Sequence, residues 1–191
     1  MLASRYDSGS MITTRYYYDI LGRVTGQTEH ASDRSHGLWY TYDDLGRVAT
    51  VRDVFDGTAA TTAYEYGTGD QISKVTYDSG YESYSYDLFN RLDQWHTYHG
   101  STRLIQKNIS YEGIDDQSGS SRPVAWSYVS TGGYSAIYNY TSDGNGNIVS
   151  ETLDGKRTTY VYDSANQLIR ENNQRANRTW TWTYDAAGKS S

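Results

Sequence analysis

The stretch at residues 40–48 reads YTYDDLGRV and decides the fold. Its pattern, Y-x-Y-D-x-x-G-R followed by an aliphatic residue, predicts one β-hairpin. Tyr40 and Tyr42 point the same way, because residues i and i+2 of a strand share a face. Asp43 suits the first position of a type I turn, where its carboxylate accepts backbone N–H groups two or three residues on. Gly46 suits the left-handed position that ends such a turn, and Val48 starts the returning strand.

The pattern recurs along the chain. Residues 16–24 match it fully, residues 84–92 carry Asn90 in place of glycine, and residues 160–168 carry Gln167 in place of arginine. Looser copies lie at residues 64–72, 138–148 and 182–189. The residues that we assign to the structural repeat motif are Tyr18, Asp19, Gly22, Arg23, Tyr42, Asp43, Gly46, Arg47, Tyr86, Asp87, Asn90, Arg91, Tyr162, Asp163, Tyr184, Asp185 and Gly188.

The spacing of the copies predicts a repeat architecture. The last tyrosines of the units fall at positions 18, 42, 66, 86, 111, 140, 162 and 184, a period in the low twenties. A looser second turn lies between consecutive D-x-x-G turns, so the chain reads as an antiparallel meander with no helical periodicity. We expect one all-β array of about eight repeats over residues 1–191, which begins and ends mid-repeat. Residues 109–137 form an irregular repeat, with a small, polar loop at 113–121 and Pro123, which requires an edge or a bulge.

Composition predicts a sheet with much half-buried surface and no thick apolar core. Leu, Ile, Val and Phe number 29 of the 191 residues, whereas Tyr and Trp number 26. Disordered chains are depleted in aromatic residues, so a folded chain is favoured. The net charge of −6 argues against a nucleic-acid partner, which needs a basic stripe. The sequence has no cysteine and no apolar run long enough to span a membrane, and its first residues do not predict a signal-peptide core.

The Y-x-Y-D-x-x-G-R units resemble the YD repeats of the RHS (rearrangement hotspot) and teneurin families. That resemblance implies β-hairpins in a curved, spirally wound sheet, which would form part of a hollow shell. In bacterial members the shell encloses a toxic C-terminal segment, and in teneurins it is an extracellular scaffold. We therefore expect a structural scaffold or encapsulating-shell segment, secreted or at the cell surface. The expected partners are other YD repeats or copies of the chain at open strand edges, an enclosed toxin polypeptide, or glycans.

Candidate chemistry is weighed against this repeat. The aspartates Asp19, Asp43, Asp87, Asp163 and Asp185 recur at every hairpin, which is typical of turn caps and not of a catalytic group. The segment from Asp143 resembles the start of a calcium loop, but Ile148 stands where such a loop needs glycine. The Asp-Pro-x-Gly-Leu segment that carries autoproteolysis in RHS proteins is absent from the sequence. We expect no catalytic residue, no metal site, no cofactor and no enzymatic activity.

The alternative function is a carbohydrate-binding surface, since tyrosine and tryptophan rings stack on sugar rings. The tryptophans do not follow the repeat, so they are the first candidates for such contacts. They are Trp39, Trp95, Trp126, Trp180 and Trp182.

Overall fold

The computed structural model of the chain describes residues 3–7, 12–31, 33–113, 121–185 and 187–189. These residues form antiparallel β-strands and turns, and no helix occurs among them. Consequently none of them lies in a helix that could cross a membrane. Two compact units are present, one made of Met1–Tyr84 and Thr97–Thr102, the other of Ser85–His96 and Arg103–Ser191.

The strands follow one another as hairpins in chain order. The first unit contains β1 (Ala3–Asp7), β2 (Ile12–Tyr18), β3 (Val24–His30), β4 (Ser35–Tyr42), β5 (Val48–Phe55), β6 (Thr58–Tyr66) and β7 (Ile72–Tyr77). Residues of β8 (Gly80–Tyr86) and β9 (Leu92–His99) belong to both units. The second unit contains β10 (Thr102–Tyr111, of which Thr102 belongs to the first unit), β11 (Pro123–Ser130), β12 (Ser135–Ser142), β13 (Ile148–Leu153), β14 (Lys156–Tyr162), β15 (Leu168–Asn173) and β16 (Arg178–Thr181). The predicted all-β class and antiparallel hairpins are confirmed, whereas the spiral winding and the single array stay predictions.

A hairpin that closes at the D-x-x-G turn, or at the loop that takes its place, carries a bulge wherever its strand pairing is described. Tyr42 pairs with Val48, but Thr41 pairs with Thr50, so one extra residue enters the returning strand. The same register shift occurs at the β2–β3, β6–β7, β10–β11, β12–β13 and β14–β15 hairpins. At β10–β11 the shift places Pro123 opposite Tyr111, which confirms the bulge expected at that proline. Bulges of this kind increase the local twist of a hairpin.

Residues with a left-handed backbone conformation lie at the positions that the repeat predicts. Gly22, Gly46, Gly146 and Gly188 have φ between +77° and +90°, and Asn90 has a φ of +68°. Asn166 has a φ of +61°. Asparagine therefore substitutes for glycine in two repeats, as its tolerance of this conformation allows.

Each unit has one face that carries the motif tyrosines. In the first unit Tyr40 and Tyr42 share that face with their cross-strand partners Val51 and Val48. We call this face, and the face of the second unit that carries Tyr160 and Tyr162, the tyrosine face. Only Val75, Ala136 and Leu153 are buried hydrophobic residues among those described, and none of the described large side chains is fully buried. The predicted half-buried sheet without a thick core is therefore confirmed.

Candidate functional site

The carboxylate of each motif aspartate organises its own turn. Asp43 Oδ1 accepts hydrogen bonds from the backbone N–H groups of Leu45 at 3.0 Å and Arg47 at 2.8 Å. The backbone closes the loop, since Gly46 N–H donates to the Asp43 carbonyl and Asp43 N–H donates to the Arg47 carbonyl. The bonded N–H groups are thus two and four residues on, where two or three were expected, because the left-handed Gly46 turns the N–H of Arg47 inward.

The motif arginine joins its own turn to the next repeat. Arg47 Nε donates to Asp43 Oδ2 at 2.8 Å, so the guanidinium is fixed in its own turn. Its plane then covers the ring of Tyr66, with 4.2 Å from Cζ to the ring centroid. Tyr66 in turn donates its hydroxyl to the Val48 carbonyl at 2.7 Å. Arg47 Nη1 also donates to the Gly69 carbonyl at 3.1 Å. We call this set of contacts, which couples one D-x-x-G turn to the tyrosine of the following repeat, the repeat joint.

Three parts of the repeat joint recur in both units: the bond from arginine to aspartate, the covered ring and the hydroxyl-to-carbonyl bond. In the first unit, Arg23 bonds Asp19 at 2.7 Å and covers Tyr42 at 4.4 Å, and the Tyr42 hydroxyl donates to the Val24 carbonyl. In the second unit, Arg91 bonds Asp87 and covers Tyr111 at 4.3 Å. The Tyr111 hydroxyl completes that joint by donating to the Leu92 carbonyl at 2.9 Å.

Two further joints of the second unit lack the arginine. Asn147 Nδ2 bonds Asp143 Oδ2 at 3.0 Å and also reaches Asn166 Oδ1 of the next turn at 2.9 Å. The Tyr162 hydroxyl donates to the Ile148 carbonyl at 2.9 Å, as in the other joints. In the following repeat the Tyr184 hydroxyl donates to the Leu168 carbonyl at 2.7 Å. The tyrosine-to-carbonyl bond is therefore retained where asparagine or glutamine replaces arginine.

The irregular repeat keeps part of the joint with different residues. Glu112 N–H donates to the Arg122 carbonyl at 2.9 Å, and the two side chains form an ion pair at 3.4 Å. Arg122 Nη1 continues to the Asp143 carbonyl of the next turn at 3.2 Å. The strand register aligns Ser142 with the last tyrosine of the motif, so the looser copy at residues 138–148 has serine at that position, two residues after Tyr140. Most of the loop singled out at 113–121 lies outside the described residues.

The charges of the joint stabilise one another. Burial alone would raise the pKa of Asp43, but hydrogen bonds from the Arg47 N–H and guanidinium hold that pKa below its ordinary value. The pKa values of Asp19 and Asp87 are lowered against the same opposing effect of burial by their own arginines. Hydrogen bonding to Asp43 raises the pKa of Arg47. Each carboxylate is thus committed to its turn, and no described group of three His, Asp or Glu side chains could hold a metal ion.

The tryptophans pack on the sheet in different ways. Trp39 lies on the face opposite the tyrosine face of its unit, 5.1 Å from Tyr17. A Cβ on Gly26 would come within 2.6 Å of its ring, so the glycine makes room for the indole. Trp126 lies on the tyrosine face of the other unit, stacks on Tyr138 at 4.0 Å and donates Nε1–H to the Tyr140 hydroxyl.

The remaining tryptophans also have neighbours or follow the strand alternation. Lys107 Nζ lies 5.9 Å from the ring of Trp95, and Arg178 lies 5.3 Å from the ring of Trp180. Trp180 and Trp182 are half-buried between exposed neighbours, as two residues on one face would be. Nothing in these contacts supports the carbohydrate-binding alternative.

The geometry defines the chain as an all-β protein built of repeated hairpins. The joint between neighbouring repeats has a similar shape wherever it is described. A search against protein families finds no match for the chain. A curated relative is the tRNA nuclease WapA of Bacillus subtilis, which is 27% identical over 171 residues. That match covers 88% of this chain but only 6% of WapA, so the chain corresponds to a small part of the relative.

Solved structures with similar folds are distant. The match to the complex TcdB2-TccC3-Cdc42 covers 95% of this chain and 14% of the matched chain, with a TM-score of 0.49 and 13% identity. The match to a porin-like protein from Bacteroides uniformis covers 100% of this chain and 90% of the porin-like chain, with a TM-score of 0.41 and 12% identity. Both TM-scores are below 0.5, so the fold assignment rests on the strands of this chain itself.

The comparison with WapA corrects one expectation. The sequence was expected to belong to a protein without enzymatic activity, and the relative is a tRNA nuclease, so that expectation is wrong. It failed because the repeat explains the aspartates, but a repeat says nothing of the activity of the polypeptide that contains it. The absence of a nucleic-acid partner, inferred from the charge of this chain alone, stays a prediction.

Proposed function

We propose that the chain is a scaffold segment of a YD-repeat polypeptide that carries a nuclease. The observation that carries this proposal is the repeat joint, in which a side chain of one hairpin is fixed in its own turn and bonded to the next hairpin. Such coupling suits a wall, because each repeat is held by its neighbours and not by a thick core. The similarity to WapA over most of the chain supports a place in a nuclease-bearing polypeptide.

The resemblance to RHS and teneurin repeats extends the proposal to partners and location. The sheet would associate with further YD repeats or enclose a toxin polypeptide, and the polypeptide would be secreted or exposed at the cell surface. Detection of the natural polypeptide in the medium or in the surface fraction of its source cells tests the location. Its confinement to the cell interior would contradict that part of the proposal.

Hydrogen exchange on the purified chain tests the scaffold role. The substitution Arg47→Gln removes the ion pair and the ring contact of one joint, while leaving both strand ladders intact. Because the joint couples the β4–β5 hairpin to the β6–β7 hairpin, we expect faster amide exchange in both hairpins. The exposed substitution Arg52→Gln, on the face of β5 opposite the tyrosine face, is the matched control. Faster amide exchange confined to the turn at residues 43–47 would contradict the proposal that the joint couples neighbouring hairpins.

A second measurement tests the link to a nuclease. In the natural polypeptide that contains this sequence, Arg47→Gln combined with Arg91→Gln should change the rate of tRNA cleavage, because two weakened joints loosen the wall around the rest of the polypeptide. The double substitution should also make that polypeptide more sensitive to protease. Unchanged tRNA cleavage despite greater protease sensitivity would separate the scaffold from the nuclease and contradict the second half of the proposal.

A further inference from the structure

The turn at residues 143–147 of the second unit reads DGNGN and contains a reactive pair that the other turns lack. Asn145 precedes Gly146, and no other asparagine of the sequence is followed by glycine. In the turns that begin with a motif aspartate, the residue at the position of Asn145 is apolar. These residues are Leu21, Leu45, Phe89, Ala165 and Ala187. Their side chains carry no group that reacts with the backbone.

An asparagine that precedes glycine can lose its side-chain amide without an enzyme. The Gly146 nitrogen attacks Cγ of Asn145, the bond from Cγ to Nδ2 breaks, and the proton of the attacking nitrogen leaves with the ammonia. Water then opens the cyclic imide to give aspartate or isoaspartate, and nothing is oxidised or reduced. Glycine favours the attack because its backbone rotates freely and has no side chain to block the approach. A Cβ on Gly146 would meet nothing within 4 Å, so the surroundings are also open.

The closed turn holds both reacting groups in hydrogen bonds. Gly146 N–H, which carries the attacking nitrogen, donates to the Asp143 carbonyl at 3.0 Å. Asn145 Nδ2, which is the leaving group, donates to Asn166 Oδ1 of the next turn at 3.1 Å. The backbone N–H of Asn145 donates to Asp143 Oδ1 at 2.9 Å. The attack therefore requires the turn to open.

This turn is joined to the next repeat by an amide where the arginine joints use a guanidinium. Asn147 takes the position that Arg47 holds in its own turn. Asn147 Nδ2 donates to Asp143 Oδ2 at 3.0 Å and to Asn166 Oδ1 at 2.9 Å. An amide carries no charge, so its hydrogen bond to a carboxylate is weaker than that of a guanidinium. Asn145 and Asn166 are exposed, and exposed turns with few buried contacts open locally at a lower free energy than core strands.

We propose that Asn145 is a site of spontaneous deamidation, and that the reaction follows local opening of the 143–147 turn and irreversibly removes a link of its joint. The proposal rests on the contacts of this turn and not on the scaffold function. It makes this joint the one in which a lapse of closure is recorded as a covalent change.

The product cannot restore the contacts of the amide. A carboxylate at position 145 has no N–H to donate to Asn166. If Asn166 reverses its amide to donate to that carboxylate, its oxygen no longer accepts from Asn147, so one bond is lost in either arrangement. A hydrogen bond from Asn147, opposed by burial, lowers the pKa of Asp143, which is therefore ionised at neutral pH. Deamidation thus places two like charges in one turn.

Peptide mapping by mass spectrometry, on the full chain incubated in mildly alkaline buffer, tests the proposal. We expect conversion of amide to carboxylate in the peptide that contains Asn145, and faster conversion when the chain is unfolded in urea. Asn166→Gly removes the shared acceptor but keeps a residue that tolerates its φ of +61°. It should speed conversion in the folded chain by about twofold to tenfold, the effect of one lost hydrogen bond on the open population. Ser164→Ala, at an exposed position of the same turn as Asn166, is the matched control and should leave the rate unchanged.

Two substitutions of Asn145 separate the reaction from its consequence. Asn145→Asp introduces the carboxylate directly, so amide exchange should be faster in the turns at residues 143–147 and 163–167. Asn145→Gln keeps an amide on a longer side chain that cyclises far more slowly, so no conversion is expected there over the same incubation. The proposal would be overturned by no conversion of Asn145 in urea, by equal rates in the folded wild type and Asn166→Gly, or by wild-type amide exchange in Asn145→Asp.

Discussion

The joints with arginine and the joints without it both connect neighbouring hairpins, but they do so through different interactions. At Asp87, Arg91 and Tyr111 an ion pair, a covered ring and a hydroxyl-to-carbonyl bond act together. At Asp163 and Tyr184 the turn and the hydroxyl-to-carbonyl bond remain, but Gln167 takes the place of arginine. The comparison shows that the hydrogen bonds of turn and tyrosine are the constant part of the repeat. The charge and the cation–π contact are an addition that individual repeats can lose.

The largest effect is expected where the arginine joint is best covered. The side chains of Arg91 and Asp87 are 9% and 4% exposed, so Arg91→Gln leaves a covered carboxylate without its cation. We expect Arg91→Gln to give the largest fall in Tm among the substitutions at the joints, measured by circular dichroism. The reverse change, Gln167→Arg, should raise Tm, because it offers a cation to Asp163. Equal and small effects of both changes would show that the two kinds of joint do not differ in energy.

The next effect separates turn geometry from joint chemistry. Gly46 and Gly188 both have positive φ, one in an arginine joint and the other beside Gln167. Gly46→Ala and Gly188→Ala should each cost roughly 1–2 kcal/mol, because alanine resists the left-handed conformation. Denaturant unfolding measures both. Gly144→Ala is the control, since its Cβ would meet nothing within 4 Å and its φ is not positive. A similar loss from Gly144→Ala would contradict the geometric explanation.

A smaller and equal effect is expected from the shared hydrogen bond. Tyr42→Phe removes the hydroxyl bonded to Val24, and Tyr184→Phe removes the hydroxyl bonded to Leu168. Each should cost about 0.5–1.5 kcal/mol in denaturant unfolding, the usual net value of such a bond. Because the bond is common to both kinds of joint, the two losses should agree. A loss confined to Tyr42→Phe would mean that the arginine, and not the carbonyl, makes the hydroxyl matter.

Much of the fold could be predicted from the sequence because the same hairpin motif occurs many times along the chain. The turn at Asp43 and Gly46 required only local rules, and these rules hold wherever the turn is described. The sequence marks Arg47 as part of the repeat motif, but it does not identify Tyr66 as the ring that Arg47 covers. Local spacing cannot say which tyrosine faces a given arginine, because that depends on the register of two hairpins.

Other features needed the strand register itself. Ser142 occupies the motif position that a tyrosine holds in the full copies, because β12 ends in Thr141 and Ser142 and its last tyrosine lies two residues earlier.

The smallest effect concerns the response of the arginine joints to acid. In the folded chain the pKa values of Asp19, Asp43 and Asp87 are lowered by their arginines and turn N–H groups, despite the opposing effect of burial. A lowered pKa means that the stabilisation is present above the ordinary aspartate pKa of about 3.9, and is lost as the pH falls through the folded value. We therefore expect Tm to fall as the pH drops below about 4. In Asp43→Asn that fall should be shallower than in the wild type, because one of the three carboxylates no longer takes up a proton. An equally steep fall in Asp43→Asn would assign the acid sensitivity to carboxylates outside the joints.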